Sequence, residues 1–276
     1  MIPALRLLRR IWETETAYTL ACLDLLQRLP GNPLGIVCRQ LDDALMASMA
    51  RHRPQSSYNC VFGLRAGLDH HIAPLRDWFA AAGVKGQFEI IPGYDDPALA
   101  RELARLGYYQ SSFQVSLASL PPLRLAAAEA VNIERVESAG KLEAWLDRYG
   151  AAHGTAVADP CKAVLRAGFY EAGWSLYFGA VEGGAMAAAI LFIKDKVGYC
   201  PQLAADAVDP DRAVLYRALM ARRLADARDA GVEFVCSTAD LWSQRHYELV
   251  RLGMQVKFVR SLWSPLRPRS WPAAVD

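Results

Sequence analysis

The feature that most constrains the fold is an order of helices and strands that occurs twice along the chain. Each occurrence ends in a similar string, LARLG at 103–107 and LVRLG at 249–253. A glycine that follows an amphipathic run and precedes an apolar, β-prone run indicates a helix that is closed by a left-handed residue and leads into a strand. The sequence therefore predicts two helix-to-strand connections of the same kind.

The elements around each string also follow one order: strand, helix, strand, helix, strand. The first set is predicted at 58–64, 70–82, 87–91, 95–106 and 108–117, and the second at 197–203, 212–230, 232–236, 242–252 and 254–263. A repeated order of this length is typical of internal duplication. We therefore interpret the chain as two related copies that each combine helices and strands.

The remaining segments suggest where one copy ends and the next begins. A packing helix is predicted over 4–29, and an alanine-rich stretch without any strand or turn pattern follows Pro121-Pro122. We place the domain boundary there, which gives domains 1–122 and 123–276. The second domain is expected to open with a strand near Asn132 and a helix over 141–150. The glycine-containing segment 151–173 is interpreted as a loop-rich connection whose structure the sequence does not indicate. A three-stranded antiparallel meander follows it at 174–181, 186–193 and 197–203.

Composition excludes several classes of protein. A chain of 276 residues with 53% hydrophobic and 22% charged residues is not disordered, and its length suits two domains. The net charge of +2 is spread along the helices, so we expect no nucleic-acid partner. The longest apolar run, 183–193, is too short to cross a bilayer, and the six cysteines are scattered singly. We expect a cytoplasmic protein with no membrane association, no disulfides and no metal site.

The junction before the long helix at 212–230 is a possible anion site. The free N–H groups and the positive dipole end of a helix N-terminus can bind a phosphate, and Arg212 would add further donors. Alternatively, Asp209 or Asp211 simply caps the helix and Arg212 is solvated. The residues alone leave both interpretations open.

The second copy resembles the GCN5-related N-acetyltransferase (GNAT) superfamily over residues 132 to 263. The resemblance rests on the order of elements, the run ALMARR at 218–223 on the long helix, Gly231, and LGM at 252–254. The whole chain is similar to the tandem form of that superfamily, in which YNCVFGL at 58–64 belongs to a degenerate first copy. The resemblance implies an α+β fold of two GNAT-like units, each with a mixed, mostly antiparallel, splayed sheet flanked by helices.

The resemblance also implies acetyl-CoA, or another acyl-CoA, as cosubstrate. In the superfamily the strand before the long helix binds pantetheine through its main chain, and the N-terminus of the helix holds the pyrophosphate. The residues of this chain at those places are Leu203, Ala204, Ala205, Val208, Arg212, Ala213, Val214, Leu215 and Tyr216. They depart from the superfamily pattern because the segment 212–216 contains no glycine, so Val214 and Tyr216 narrow the approach to the backbone.

Acyl transfer to an amine needs a base for the ammonium proton and an acid for the departing thiolate. Leu249 occupies the position at which the superfamily usually carries the tyrosine that acts as general acid. Ser243 and Tyr247 share one face of the predicted helix, whereas Trp242 and Leu249 belong to its apolar stripe. Tyr247 is therefore the candidate acid, with an interfacial packing role as the alternative.

Asp206, at the end of the predicted cofactor strand, is the candidate base, although a carboxylate there may equally cap the adjoining turn. The first copy is expected to be structural, because DHH at 69–71 opens its long helix and supplies no phosphate loop.

Two functions fit these observations. The first is a CoA-dependent N-acyltransferase that acts on the amine of a small molecule or peptide. The alternative is a catalytically silent GNAT-like module that binds a ligand or a protein. Missing glycines favour the silent module, whereas Arg212 and the intact order of elements favour the enzyme. The sequence does not predict the acceptor, the acyl chain or the oligomeric state.

Overall fold

The computed structural model describes residues 4–42, 45–52, 57–91, 97–125, 131–152, 159–181, 186–201, 204–205 and 212–266. The helices are α1 Ala4–Gln27, α2 Ile72–Ala81, α3 Pro97–Arg105, α4 Ala139–Ala152, α5 Asp159–Phe169, α6 Arg212–Asp229 and α7 Gln244–Arg251. The strands are β1 Ile36–Gln40, β2 Met46–Ala50, β3 Cys60–Leu64, β4 Gln87–Ile90, β5 Tyr108–Ser119, β6 Val131–Arg135, β7 Trp174–Val181, β8 Met186–Lys194, β9 Val197–Tyr199, β10 Ala204–Ala205, β11 Phe234–Asp240 and β12 Gln255–Pro265. Among the described helices, none is both long and apolar enough to cross a membrane.

The chain forms two compact units that each draw on separate stretches of sequence. Unit 1 comprises 1–32 and 115–258, and unit 2 comprises 33–114 and 259–276. The boundaries of these units differ from the predicted division at 122/123. Helix α1 belongs to unit 1 because it packs on α5 and β9, and its residues Ile11 and Leu23 are fully buried. The division into two duplicated copies stays a prediction.

Unit 1 contains a mixed sheet. Strands β6, β7, β8 and β9 pair antiparallel in chain order, and β9 then pairs parallel with β11, with Val197 opposite Phe234. The predicted meander is thus present, and the sheet becomes mixed at its far end as expected. Helix α4 covers β7 and β8 through an apolar cluster that includes Leu142, Trp145 and Leu146.

Unit 2 is built from the strands β1 to β4, part of β12, and a core of its own. Strands β1, β2 and β3 pair antiparallel, β3 pairs parallel with β4, and β4 pairs antiparallel with Ser261–Trp263 of β12. Its core is built from buried aliphatic and aromatic side chains of α2, α3 and these strands, among them Leu75, Phe79, Phe88 and Leu103. The strand that follows α7 in sequence therefore completes the sheet of the unit to which β4 belongs.

The predicted helix endings are confirmed. Gly107 and Gly253 have φ values of +80° and +96°, and both follow helices that lead into strands. A non-glycine residue pays a steric cost in this left-handed region, which is why the repeated strings end in glycine.

The segment 151–173, interpreted from its glycines as a loop-rich connection of unassigned structure, contains helix α5 at Asp159–Phe169. Pro160 stands in the first turn of α5, where proline favours a helix start. Gly168 does not mark a turn: a Cβ at Gly168 would lie 2.8 Å from Cε3 of Trp174, so glycine allows the helix to approach that ring closely. A glycine required for packing was therefore interpreted as a glycine required for a turn.

Candidate functional site

Two neighbouring strands of unit 1 part at the centre of its sheet. The parallel pairing of β9 and β11 ends with Tyr199 opposite Cys236, and the N–H of Cys200 still donates to the carbonyl of Cys236 at 2.9 Å. Beyond this point β10 pairs with β8, while β11 continues to Asp240. We call this opening the strand fork, bounded by Cys200 and Pro201 on one side and by Ser237 and Thr238 on the other.

The register of pairing with β8 shifts by one residue at the strand fork. Tyr199 lies opposite Phe192, whereas Ala204 lies opposite Ala188. Four residues thus separate Tyr199 from Ala204 in sequence, but three separate Ala188 from Phe192. Pairing cannot be regular across such a shift, so backbone carbonyls beside it need other donors.

Arg223 of α6 supplies donors at this register shift. Its side chain is fully buried, and Nη1 donates to the carbonyls of Ile190 at 3.1 Å and of Pro201 at 3.3 Å. Nε donates to the carbonyl of Leu219 at 3.3 Å. A buried guanidinium thus satisfies carbonyls that the interrupted ladder leaves open.

Arg245 of α7 connects the two sides of the strand fork. Nε donates to the carbonyl of Thr238 at 2.8 Å, and Nη2 donates to the carbonyl of Cys200 at 3.0 Å and to Oγ of Ser237 at 2.8 Å. Arg245 is 6% exposed, and burial, together with the nearby charge of Arg223, lowers its pKa. Within the described part of the chain, neither arginine forms an ion pair with a carboxylate.

Two buried polar atoms of α6 and α7 lack hydrogen-bond partners among the described residues. The hydroxyl of Tyr216, on α6, is one, and its ring centre lies 5.9 Å from the guanidinium carbon of Arg245. Oε2 of Glu248 is the other, while Oε1 accepts from Nε2 of Gln244 at 2.9 Å. Burial raises the pKa of Tyr216, the charge of Glu248 raises it further, and Arg245 opposes them, so the hydroxyl stays protonated at neutral pH.

The other face of the strand fork carries a hydrogen-bonded chain of side chains that ends at a buried carboxylate. Tyr199 donates its hydroxyl to Oγ1 of Thr238 at 3.3 Å, and Thr238 donates to Oε1 of Glu15 at 2.9 Å. Ser116 donates to Oε2 of Glu15 at 3.0 Å. Side chains alternate between the two faces of a strand. The side chain of Ser237 therefore binds Arg245 on one face of β11, and the side chain of Thr238 binds Glu15 on the other.

The predicted cofactor residues are only partly described. Leu203, Asp206 and Val208 lie outside the described residues. Ala204 and Ala205 form β10, and Arg212 begins α6. Ala213 and Val214 are exposed in the first turn of α6, whereas Leu215 and Tyr216 are buried. Tyr216 is the member of this set that the structure brings to Arg245 and hence to the strand fork.

The predicted catalytic residues of α7 lie at its outer surface. Oγ of Ser243 accepts from the N–H of His246 at 3.2 Å and donates to the carbonyl of Asp240 at 2.6 Å, so Ser243 caps the helix. Tyr247 is 46% exposed, and its ring stacks on that of His246 with 5.5 Å between the ring centres. Trp242, which we predicted on the apolar stripe, is 69% exposed with φ +65°, because it precedes the cap and is outside the helical period.

Sequence reasoning missed the charged residues that surround the strand fork. Arg245 and Glu248 share the buried face of α7 with Leu249, and Glu15 lies on the buried face of α1 with Ile11. The buried face of a helix is predicted from the spacing of its apolar residues, so a charged residue on that face is predicted to be exposed to solvent. The available signal was their spacing, since Arg245 stands four residues before Leu249 and Glu15 four after Ile11.

Comparison with known proteins identifies the fold. No family model and no curated protein matches the chain. A GCN5-related N-acetyltransferase from Kribbella flavida is 20% identical with a TM-score of 0.60, covering 92% of this chain and 96% of that one. A second, from Sphaerobacter thermophilus, is 14% identical with a TM-score of 0.57 and 83% of each chain covered.

A tandem GNAT protein from the clavulanic acid biosynthesis pathway is 12% identical with a TM-score of 0.53, covering 89% of this chain and 94% of that one. The predicted α+β class with a mixed, mostly antiparallel sheet is confirmed. At these identities the likeness concerns the fold. The chain has the fold of the GCN5-related N-acetyltransferases.

Proposed function

We propose that the protein is a CoA-dependent N-acyltransferase, with acetyl-CoA or another acyl-CoA as donor and the amine of a small molecule or peptide as acceptor. The observation that carries this proposal is the strand fork, which opens between β9 and β11 and is flanked by α6 and α7. An opening between two strands in the middle of a sheet gives a thioester access to backbone groups that a continuous ladder would occupy.

The residues present fit a CoA thioester. The first turn of α6 leaves backbone N–H groups without intrahelical acceptors, and these groups with Arg212 would hold the pyrophosphate. The segment from Leu203 to Val208 would bind pantetheine through its main chain. The hydroxyl of Tyr216, which has no partner among the described residues, offers a donor near Arg245, and Arg245 bonds to both sides of the strand fork.

The glycine-free start of α6 is compatible with this role. The ring of Tyr216 is buried, 4% exposed, and packs near Arg245, so it does not cover the outer end of the helix. Val214 is the bulky side chain that remains exposed in the first turn, at 41%. Phosphate recognition would therefore depend more on Arg212 than it does where glycine lets the backbone approach.

Acyl-CoA supplies the thioester carbon at which a new C–N bond forms while the C–S bond breaks. The amine must lose a proton, and the departing thiolate gains one. Within this proposal Asp206 is the candidate base and Tyr247 the candidate acid, with Ser243 fixing the start of the helix that carries Tyr247.

The experiment that tests the proposal is isothermal titration of the purified protein with CoA, acetyl-CoA and longer acyl-CoAs. We expect saturable binding of at least one thioester, followed by release of free CoA when a panel of primary amines is added. If none of these compounds gives a heat of binding or a shift in melting temperature, the proposal of an acyltransferase is refuted.

One observation favours the second candidate, a silent GNAT-like module that binds a ligand or a protein. Arg245 bonds to Cys200 and Thr238, one on each side of the strand fork, so a side chain of the protein itself spans part of the opening. Binding of CoA thioesters without acyl transfer to any amine would support this candidate.

A further inference from the structure

We propose that Arg245 and Tyr216 form a buried carboxylate-binding site beside the strand fork. The donor side of this inference rests on the proposed function, because it is an acyl-CoA that would bring an acyl group to the fork. The site consists of two hydrogen-bond donors whose acceptors are absent among the described residues, next to a cation that no described carboxylate neutralises.

The donors of Arg245 are only partly used. A guanidinium carries five N–H groups, one on Nε and two on each Nη. Nε serves Thr238, and Nη2 serves Cys200 and Ser237. Nη1 has no acceptor among the described residues, so it can donate to a ligand while the other two nitrogens keep the strands in place.

Tyr216 adds a second donor at the same place. Its ring lies beneath the guanidinium of Arg245, and its hydroxyl is buried with no described partner. The packing of the ring does not require a hydroxyl, since phenylalanine would fill the same volume. Burial without a partner costs free energy, so the hydroxyl calls for an acceptor that the described protein atoms do not provide.

The charge of the site is also uncompensated. A buried guanidinium is stable when an anion or several oriented acceptors replace its water. Arg223 lies close enough to Arg245 to lower its pKa, whereas the negative charge of Glu248 acts on Tyr216 and raises the pKa of its hydroxyl. Glu248 uses Oε1 for Gln244 and forms no ion pair with Arg245 in the described part of the chain. A carboxylate would provide both the negative charge and the acceptor oxygens.

Such a carboxylate can come from either substrate of an acyl transfer. It can be the free end of the acyl group, in which case the donor is the CoA monothioester of a dicarboxylic acid. It can instead be the α-carboxylate of an amino acid that serves as acceptor. Both sources present the same chemistry to Arg245 and Tyr216. The two sources are distinguished by pairs of ligands that differ only in the carboxylate.

The test begins with the unaltered protein, which avoids any effect of substitution on folding. Titration with succinyl-CoA and butyryl-CoA compares acyl groups of the same length with and without a terminal carboxylate. Titration of the butyryl-CoA complex with L-amino acids and with their carboxamides makes the same comparison on the acceptor side. We expect one of the two pairs to show a preference for the carboxylate of roughly tenfold or more, the effect of a charge-assisted hydrogen bond.

Tyr216→Phe then assigns the preference to the site. We expect it to reduce the preference severalfold without lowering the melting temperature, because the lost hydroxyl has no described partner and its burial costs free energy. The matched control is Tyr177→Phe, which removes a buried hydroxyl that donates to Asp226 at 2.8 Å. That variant should melt at a lower temperature and keep the full carboxylate preference.

The outcomes separate this inference from the proposed function. If butyryl-CoA binds but neither pair shows a carboxylate preference, the carboxylate site is refuted and the acyltransferase proposal stands. An unchanged preference in Tyr216→Phe refutes the assignment in the same way. If no CoA thioester binds and no carboxylate is preferred, both proposals fail.

Discussion

Arg223 and Arg245 are buried cations whose described partners are mainly backbone carbonyls. Three of those carbonyls, of Pro201, Cys200 and Thr238, lie at the strand fork, where the pairing between β9 and β11 has ended. At the residue scale, side chains from α6 and α7 therefore supply donors that a continuous sheet would supply from its backbone. A side chain without N–H donors at either position would remove hydrogen bonds from carbonyls in the interior.

Arg212→Ala tests phosphate recognition at the start of α6. We expect CoA to bind more weakly by about 1.5–3 kcal/mol, the contribution of a hydrogen bond to a charged group. The measurement is a titration of CoA into each variant. Arg217→Ala, which removes an exposed arginine from the same helix, is the control and should leave the affinity unchanged. An unchanged dissociation constant in Arg212→Ala would mean that backbone amides suffice.

Tyr247→Phe tests the predicted proton donor. Turnover should fall by about 10²-fold or more with CoA affinity nearly unchanged, because general acid catalysis contributes about 10²–10⁴-fold. Tyr170→Phe, at a tyrosine that is 73% exposed, is the control for loss of a surface hydroxyl. Turnover of Tyr247→Phe within about threefold of the parent would remove Tyr247 from the mechanism, since an acid contributes more than that.

At the scale of elements, helix α1 contributes to the site as well as to the core. Its carboxylate at Glu15 accepts hydrogen bonds from Ser116 of β5 and Thr238 of β11. Two strands that are distant in sequence are thus held by one side chain of the first helix. The backbone of Thr238 binds Arg245 from the other face, so α1 and α7 fix the same residue.

Glu15→Ala should lower the free energy of unfolding by about 3 kcal/mol, because two donors lose a charged acceptor and each such bond contributes about 1.5–3 kcal/mol. Urea unfolding followed by circular dichroism measures the effect. Glu13→Ala is the control: its pair with Arg9 is exposed, so the change should stay within about 0.5 kcal/mol. Equal effects of the two substitutions would contradict the structural role of Glu15.

Local signals predicted most of the elements and little of the site. The helices that end at Gly107 and Gly253 were predictable because a left-handed residue has a strong sequence signature. The hairpin of β1 and β2 was not, since MASMA at 46–50 lacks β-branched residues and its burial comes from tertiary packing. The strand fork depends on where pairing between β9 and β11 stops, which no local pattern records.

At the scale of the whole molecule, unit 1 is assembled from chain segments that the predicted domain boundary separates. Its first segment contains α1, and a second contains Val115, Leu117 and Ala118 of β5, all of them fully buried. Residues 123–276 therefore lack a helix and part of a strand that belong to the same unit. We therefore expect unit 1, rather than the predicted domain 123–276, to unfold as one cooperative unit.

The fragment 123–276 should consequently fail to unfold cooperatively on its own and should expose the apolar surface that α1 covers. Calorimetry and binding of a hydrophobic dye measure these properties. Co-expression with the fragment 1–122 is the control and should restore a single transition. A fragment 123–276 that is soluble, cooperatively folded and active by itself would show that residues 1–122 are an independent accessory domain.

The membership of α1 in unit 1 also sets an order of events on the ribosome. Glu15 and Thr238 are 223 residues apart. Since synthesis proceeds at about 5–20 residues per second, the acceptor leaves the ribosome roughly 11–45 seconds before its donor. The elements on which α1 packs, α5 and β9, are themselves made more than 130 residues after the end of α1, so the face that carries Ile11 and Leu23 has no partner for most of that interval. The nascent chain must therefore keep its first helix from aggregating until α5 and β9 have been translated.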